Sequence, residues 1–194
     1  MVSDEQLMRQ AKEGDREALS ALFSRYQGPL YNFFLRSCGR VDDAEDLAME
    51  TLLRVFRHAE HFSGTGSFRA WIYRLAVNVS HDRARRAKRR PEVLSSVVRE
   101  RWLGIEDDRP ERRPETMALR GDLAEAVRSA VYALPEKERT ALLLREYQQL
   151  TYAEIALAMG VSLSAVKMLI LRGRDRVRKR LEPHFDLQPV EVFG

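Results

Sequence analysis

The sequence predicts an all-α protein: two small helical domains joined by a flexible linker, the second containing a helix-turn-helix. Three observations predict it. Apolar residues recur at three- and four-residue spacing almost throughout, and no stretch of useful length alternates apolar with polar. Helix start and stop signals punctuate the chain at regular distances. Between about Ser95 and Thr116 the pattern lapses into "GIEDDRPERRPE", with two prolines, dense mixed charge and one large apolar residue. That composition buries too little surface to offset the entropy of ordering it.

The elements follow in order. Ser3 with Gln6 forms a capping box that opens a short helix ending near Gly14. Asp15 caps the next, whose Ala18, Leu19, Leu22, Phe23 and Tyr26 share a face. The "GP" at 28–29 kinks or interrupts it, and Leu30, Phe33 and Phe34 carry the apolar face on to about Ser37. A third helix starts at Asp42 or Asp43 and places Leu47, Leu52, Val55, Phe56 and Ala59 toward the core. "SGTG" at 63–66 is a loop. Ser67 caps a long fourth helix that runs through "RARRAKRR" and stops before Pro91. The predicted division is 1–94, a linker at 95–115, a second domain at 116–182 and a tail at 183–194. In the second domain a helix covers roughly 116–134, and Pro135 favours the first turn of the next. Thr151 and Glu154 make another capping box, Gly160 ends that helix, and Ser162 or Ser164 opens the last.

With 194 residues, 44% hydrophobic and 32% charged, the chain has the composition of a folded globular protein. Its single cysteine, Cys38, excludes an internal disulfide and a cysteine-based metal cage. His58 and His61 are a surface pair with no third ligand nearby, so no metal and no cofactor is expected. The N-terminus lacks an apolar export segment and no 18 apolar residues run together. A cytoplasmic location without membrane contact follows as the expectation. The net charge of +4 is modest, but its distribution is not. Arg74 to Arg90 holds seven Lys or Arg against one acid, and Lys167 to Arg180 repeats that ratio. Two basic segments far apart in sequence mark two places where a polyanion is neutralised.

"LTYAEIALAMGVSLSAVKMLI" reads as a helix-turn-helix. Ile155, Ala156 and Met159 face inward, Gly160 supplies the left-handed turn, Val161 plugs it, and Val166 and Ile170 complete the core. The second helix of such a motif enters the major groove. Rotation of roughly 100° per residue puts Ile170, Gly173, Val177 and Leu181 on one face with Val166, and Leu169 at its flank. Met168 and Leu171 fall on the far side, with Lys167, Arg172 and Arg174 near them. There they meet thymine methyl groups or form a protein docking site.

The first half carries a different signal. Phe62, Phe68, Trp71 and Tyr73 surround a small-residue loop and are followed by Arg74, Asn78 and a run of cations. Aromatics interleaved with positive charge suit single-stranded nucleic acid. Part of the set, Trp71, Ile72 and Leu75 included, also serves the core. A flipped base needs a pocket, which "SGTGS" is permissive enough to line.

"DAEDL…E…LLRVFR", "FSGTGSFRAWIYRLAVNVSHDRARRAKRR" and "LPEKERTALLLREYQQLTYAEIALAMGVSLSAVK" together resemble a bacterial extracytoplasmic-function (ECF) RNA polymerase sigma factor of the two-domain, region 2 plus region 4, type. The resemblance covers nearly all of residues 5–181. It implies an alternative sigma factor, without catalytic activity of its own, that binds core RNA polymerase and directs it to promoters. Asp43, Asp46, Leu47, Glu50, Leu53 and Arg54 would dock on the clamp coiled coil of the largest subunit, with the second domain at the flap of the second subunit. Ser63, Gly64, Thr65, Gly66, Phe68, Trp71, Arg74, Asn78 and Asp82 would read the melted −10 element. Arg83, Arg85, Arg86, Lys88 and Arg89 would hold phosphates near the bubble. Ser162, Ser164, Ala165, Lys167, Met168, Leu171, Arg172 and Arg174 would read the −35 element in duplex DNA. The linker would thread toward the active-site cleft, and an anti-sigma factor is the implied regulator.

Where this family usually has "SRLHRAR" the chain has "MLILRGR". A hydroxyl and a guanidinium are thereby lost from the reading helix. Gly173, where alanine is usual, costs roughly 1 kcal/mol of helix propensity. The competing reading is a stand-alone helix-turn-helix regulator, against which the aromatic–basic helix argues, since binding an operator duplex needs no base-stacking surface. A recombinase-like enzyme would need a carboxylate cluster in a mixed fold. Capping accounts for Asp42, Asp43, Glu45 and Asp46 at a helix start.

Overall fold

The computed structural model describes residues 2–64, 66–89 and 114–185; the side chains of 87–89 and 114–122 lie outside that description. The described residues form eight α-helices and one 3-10 turn, with no strand among them: α1 Asp4–Lys12, α2 Arg16–Cys38, α3 Val41–Arg57, the turn Ala59–His61, α4 Phe68–Arg89, α5 Pro114–Tyr132, α6 Glu136–Glu146, α7 Tyr152–Met159 and α8 Leu163–Phe185. The linker expected at 95–115 falls outside the described residues except for its last two, which begin α5. Of the expected tail, residues 186–194 also lie outside, while 183–185 extend α8 through Pro183.

Most boundaries follow local chemistry. At α1 both halves of the capping box are made: Gln6 N–H donates to Ser3 Oγ at 3.2 Å and Ser3 N–H to Gln6 Oε1 at 3.1 Å. Asp15 Oδ1 accepts from Glu17 and Ala18 at 2.9 and 3.1 Å to start α2. Gly39, at φ 73°, ends α2 in the left-handed conformation that glycine takes without steric cost. Two expectations need correction here. Pro29 does not interrupt α2, because Tyr26, Leu30, Phe33 and Phe34 on both sides of it are buried in one core. Nor do Asp42 or Asp43 cap α3, which starts earlier at Val41 without a side-chain cap. Asp43 points inward instead, pairing with Arg40 at 3.3 Å and with Arg83 of α4.

Helices α1–α4 close around Leu22, Leu30, Phe33, Phe34, Val55, Phe68, Ile72 and Tyr73, all essentially buried. Phe33 meets Tyr73 edge-on with centroids 5.7 Å apart, and Tyr26 meets Phe68 at 5.3 Å. Each buried aromatic contributes ~1.5–3 kcal/mol by area, with a further ~0.5–1.5 kcal/mol for such a pair. Helices α5–α8 enclose Leu134, Leu143, Leu144, Leu150, Ile155, Val166 and Ile170. Phe56, expected in the first core, is 62% exposed. Pro135 occupies the cap position of α6 rather than its first turn.

The two halves also pack on each other, α7 against α4 and α6 against α2. Gln148 is buried at the junction. Its amide donates to Pro29 O at 3.4 Å, its Oε1 accepts from the Tyr73 hydroxyl, and its backbone carbonyl accepts from Arg69. Arg36 stacks over the Tyr147 ring at 4.4 Å. Tyr73, expected among the base-stacking aromatics, is buried in this junction instead.

Candidate nucleic-acid interface

A pocket of about 510 Å³ opens between the 3-10 turn, the loop after Phe62 and the first half of α4. The small residues of "SGTGS" make it possible. Gly64 takes φ 75°, and neither it nor Gly66 has an atom within 4 Å of where a Cβ would stand. Ser67 caps α4 through its Oγ, 3.3 Å from Ala70 N. Its helical register then places Trp71, Arg74 and Asn78 on the pocket side. Trp71 is half-buried, tilted against Phe62 at 5.4 Å and Phe68 at 5.8 Å. Arg74 and Asn78 are exposed on the rim. The result is an aromatic wall, hydrogen-bonding groups and a cation within one cavity, which suits a flat, polar-edged, anionic ligand.

Of the residues expected to read the −10 element, Ser63, Gly66, Trp71, Arg74 and Asn78 line this pocket. Gly64 lies in its loop, and Thr65 lies outside the described residues. Phe68 is fully buried behind Trp71 and supports it rather than facing the cavity. Asp82 is farther along α4, in an ion pair with Arg54 Nη2 at 3.0 Å. Arg85 and Arg86 are exposed on the following turns, whereas Arg83 is tied to Asp43. The side chains of Lys88 and Arg89 lie outside the described residues. His58 and His61, expected only as a surface pair, line the pocket with ring centroids 5.5 Å apart, and Leu157 of α7, to which the sequence assigns no role, forms its far wall.

On α3 the expected docking set divides. Asp46, Glu50, Leu53 and Arg54 reach the surface or the groove between α3 and α4, while Asp43 and Leu47 are buried. Arg54 holds Glu50 through Nε at 2.9 Å and Asp82 through Nη2 at 3.0 Å, so these three charges are fixed to one another. Met49, which the sequence reading leaves out, and Phe56, which it places in the core, form an exposed apolar stripe with Leu53: Met49 is 58%, Leu53 38% and Phe56 62% exposed. Its 49–53–56 spacing is helical and legible, since a face built on Leu47, Leu52 and Val55 leaves those three outside.

The helix-turn-helix is built as expected. Thr151 N–H donates to Glu154 Oε2 at 2.8 Å and Glu154 N–H to Thr151 Oγ1 at 3.2 Å, starting α7. Gly160 ends α7 at φ 64°, and α8 leaves at 101° to α7, within the usual range for this motif. Ser162 Oγ accepts from Ala165 N–H at 3.2 Å and lies 3.0 Å from Ser164 Oγ. Val166, Ile170 and Gly173 are buried; Lys167, Met168, Leu171, Arg172 and Arg174 are exposed. Arg174 is bound at 2.5 Å to Glu146 of α6.

Comparison with known proteins agrees with both halves. The Sigma-70 region 2 family matches residues 22–90 and the Sigma-70 region 4 family matches residues 124–177. RNA polymerase sigma-H factor of Pseudomonas aeruginosa is 32% identical over 93% of this chain and 94% of its own. ECF RNA polymerase sigma factor SigW of Bacillus subtilis is 28% identical over 90% and 94%. Among solved structures, CnrH in complex with the cytosolic domain of CnrY superposes with a TM-score of 0.67 at 25% identity, covering 93% of this chain and 97% of that one. Sigma factor RpoE in complex with the anti-sigma factor NepR, from Bartonella quintana, shares the fold, with a TM-score of 0.68 at 18% identity over 84% and 96%. With its two matched regions in order and its relatives aligned along almost their whole length, this chain belongs to the ECF RNA polymerase sigma factors.

Proposed function

We propose that this sigma factor reads the −10 element as a melted single strand with the first domain, and the −35 element in the major groove with the second. The carrying observation is the pocket of Trp71, Arg74 and Asn78 beside the exposed Arg85 and Arg86. A base swung out of the duplex finds an aromatic wall and polar rim there, and its backbone finds charge. The second domain contributes a capped helix-turn-helix whose exposed face is basic. The exposed Met49–Leu53–Phe56 stripe, with Asp46 and Glu50 beside it, is the surface for core polymerase.

The functional division is region 2 at 1–94 and region 4 at 116–182. The relatives solved in complex with CnrY and with the anti-sigma factor NepR support an anti-sigma partner for this chain as well. The test is transcription in vitro from a promoter library, with core polymerase alone and with the protein added. Specific initiation only in its presence is expected; initiation indifferent to the protein overturns the reading.

A further inference from the structure

The part of α8 that faces away from the protein carries an unusual set of side chains. Taking buried Val166 as the inner direction, Ser164, Met168 and Leu171 lie within about 40° of the opposite pole. Met168 is 45% exposed and Leu171 62%. Lys167 and Arg172 flank this stripe and are exposed. Arg174 is drawn back to Glu146, with Nη2 at 2.5 Å and Nε at 3.1 Å. Farther along, Arg178 and Lys179 are both held by Asp175 at 3.0 Å. The stripe that would reach the groove floor therefore bears one hydroxyl and two hydrocarbon chains. Up to Leu171 it lacks the Arg, Lys, Asn or Gln side chains that read guanine or adenine edges with paired hydrogen bonds.

We infer that Met168 and Leu171 select thymine, through its 5-methyl group, at two neighbouring base pairs of the −35 element. This rests on the proposed reading of the −35 element by the second domain. In the major groove thymine alone among the four bases offers an apolar group. An apolar side chain set against any other base strips water from hydrogen-bonding atoms without replacing it. The two residues are about 4.5 Å apart along the helix axis and about 60° apart around it. Side chains this close together reach neighbouring pairs, on either strand. Lys167 and Arg172, on opposite flanks, are placed for the phosphates on the two sides of the groove. A protein partner is the less favoured occupant, because the apolar stripe is narrow, flanked by cations on both sides and continuous with the serine that follows the turn.

The test uses full-length protein with core polymerase and a promoter library randomised across the −35 region. Selection should return T·A or A·T pairs at two adjacent positions. Replacing those thymines singly by deoxyuridine removes only the methyl group and should lower binding roughly three- to fivefold per methyl. The Met168→Ser, Leu171→Ser double variant should lose both the thymine preference and the deoxyuridine penalty. Its thermal unfolding serves as the folding check. A selected −35 sequence with no response to deoxyuridine overturns the thymine assignment and leaves the −35 reading intact. The same holds if the double variant selects an unchanged sequence. If no −35 sequence is enriched at all, the reading of the second domain fails with it.

Discussion

Ser67 Oγ donates to Glu154 Oε1 at 2.6 Å, joining the residue that caps α4 to the carboxylate that closes the capping box of α7. One carboxylate thus closes the helix-turn-helix box and binds the loop of the −10 pocket, while Leu157, one turn on, walls that pocket. Two promoter elements about 25 base pairs apart span roughly 85 Å of duplex. On the proposed reading, the contact opens when the two halves engage both elements. Combining Glu154→Ala with Tyr73→Phe removes two of the side-chain hydrogen bonds between the halves, each worth ~1 kcal/mol. Small-angle scattering should then show a larger radius of gyration, and single-stranded −10 DNA should bind more tightly. An unchanged radius with unchanged binding would sink the idea that these bonds hold the halves together.

The same contact carries a pH dependence. Burial alone would raise the Glu154 carboxyl, but hydrogen bonds from Ser67 and from Thr151 outweigh it and hold it below its ordinary 4.5. A carboxyl depressed in the folded state stabilises above its unfolded value and loses that contribution as pH falls through the folded one. The difference in melting temperature between wild type and Glu154→Gln should therefore stay constant from about pH 8 to 5 and shrink below about 4.5. A difference that grows in acid would contradict the assignment.

Surface and core separate cleanly on α3. Met49, Leu53 and Phe56 point outward, so changing all three to serine should leave thermal stability within ~0.5 kcal/mol. Affinity for core polymerase should fall at least tenfold, as read by co-purification or fluorescence anisotropy. Leu47, only 7% exposed, should behave oppositely. Its alanine variant should lose ~2–4 kcal/mol of stability, and polymerase binding should weaken only through unfolding.

Gly173 offers a stabilising change. It is buried on the inner face of α8, and a Cβ there would sit 3.5 Å from Glu138 O and 3.8 Å from Leu134 Cδ1, ordinary contact distances. Alanine therefore fits, and Gly173→Ala should add ~0.5–1 kcal/mol by helix propensity. Urea denaturation gives the answer directly; a loss of stability would mean that the helices approach more closely than these distances indicate.

The fold was legible because it is written locally. Ser3–Gln6, Asp15, Thr151–Glu154 and Gly160 are all short-range signals, and each sits at the helix end it announces. What escaped depended on tertiary neighbours. Pro29 could be judged helix-breaking until the core on both sides of it was visible. Asp43 looked like a cap because its partner Arg83 is forty residues away. Phe56 looked like core because three apolar residues on α3 follow a helical interval on the wrong side. The pocket was readable as a composition, aromatic beside basic, but Phe68 and Tyr73 could be sorted from Trp71 only by burial.

The cations of α4 differ in what holds them, and this gives the last prediction. Arg74, Arg85 and Arg86 are exposed along one half of the helix, while Arg83 is committed to buried Asp43. For a single strand each phosphate neutralised contributes ~0.7 to the slope of log K against log salt. Replacing Arg74, Arg85 and Arg86 by alanine should lower that slope by roughly 2 and leave the melting temperature near wild type. Arg83→Ala should do the reverse. Removing it leaves the buried Asp43 carboxylate with Arg40 as its remaining cation, which costs stability, while the salt slope moves little. Anisotropy titrations of −10 single strand by the holoenzyme, at several salt concentrations, separate the two classes. Equal slopes for both variants would show that the pairing of Arg83 with Asp43 does not keep it from phosphate.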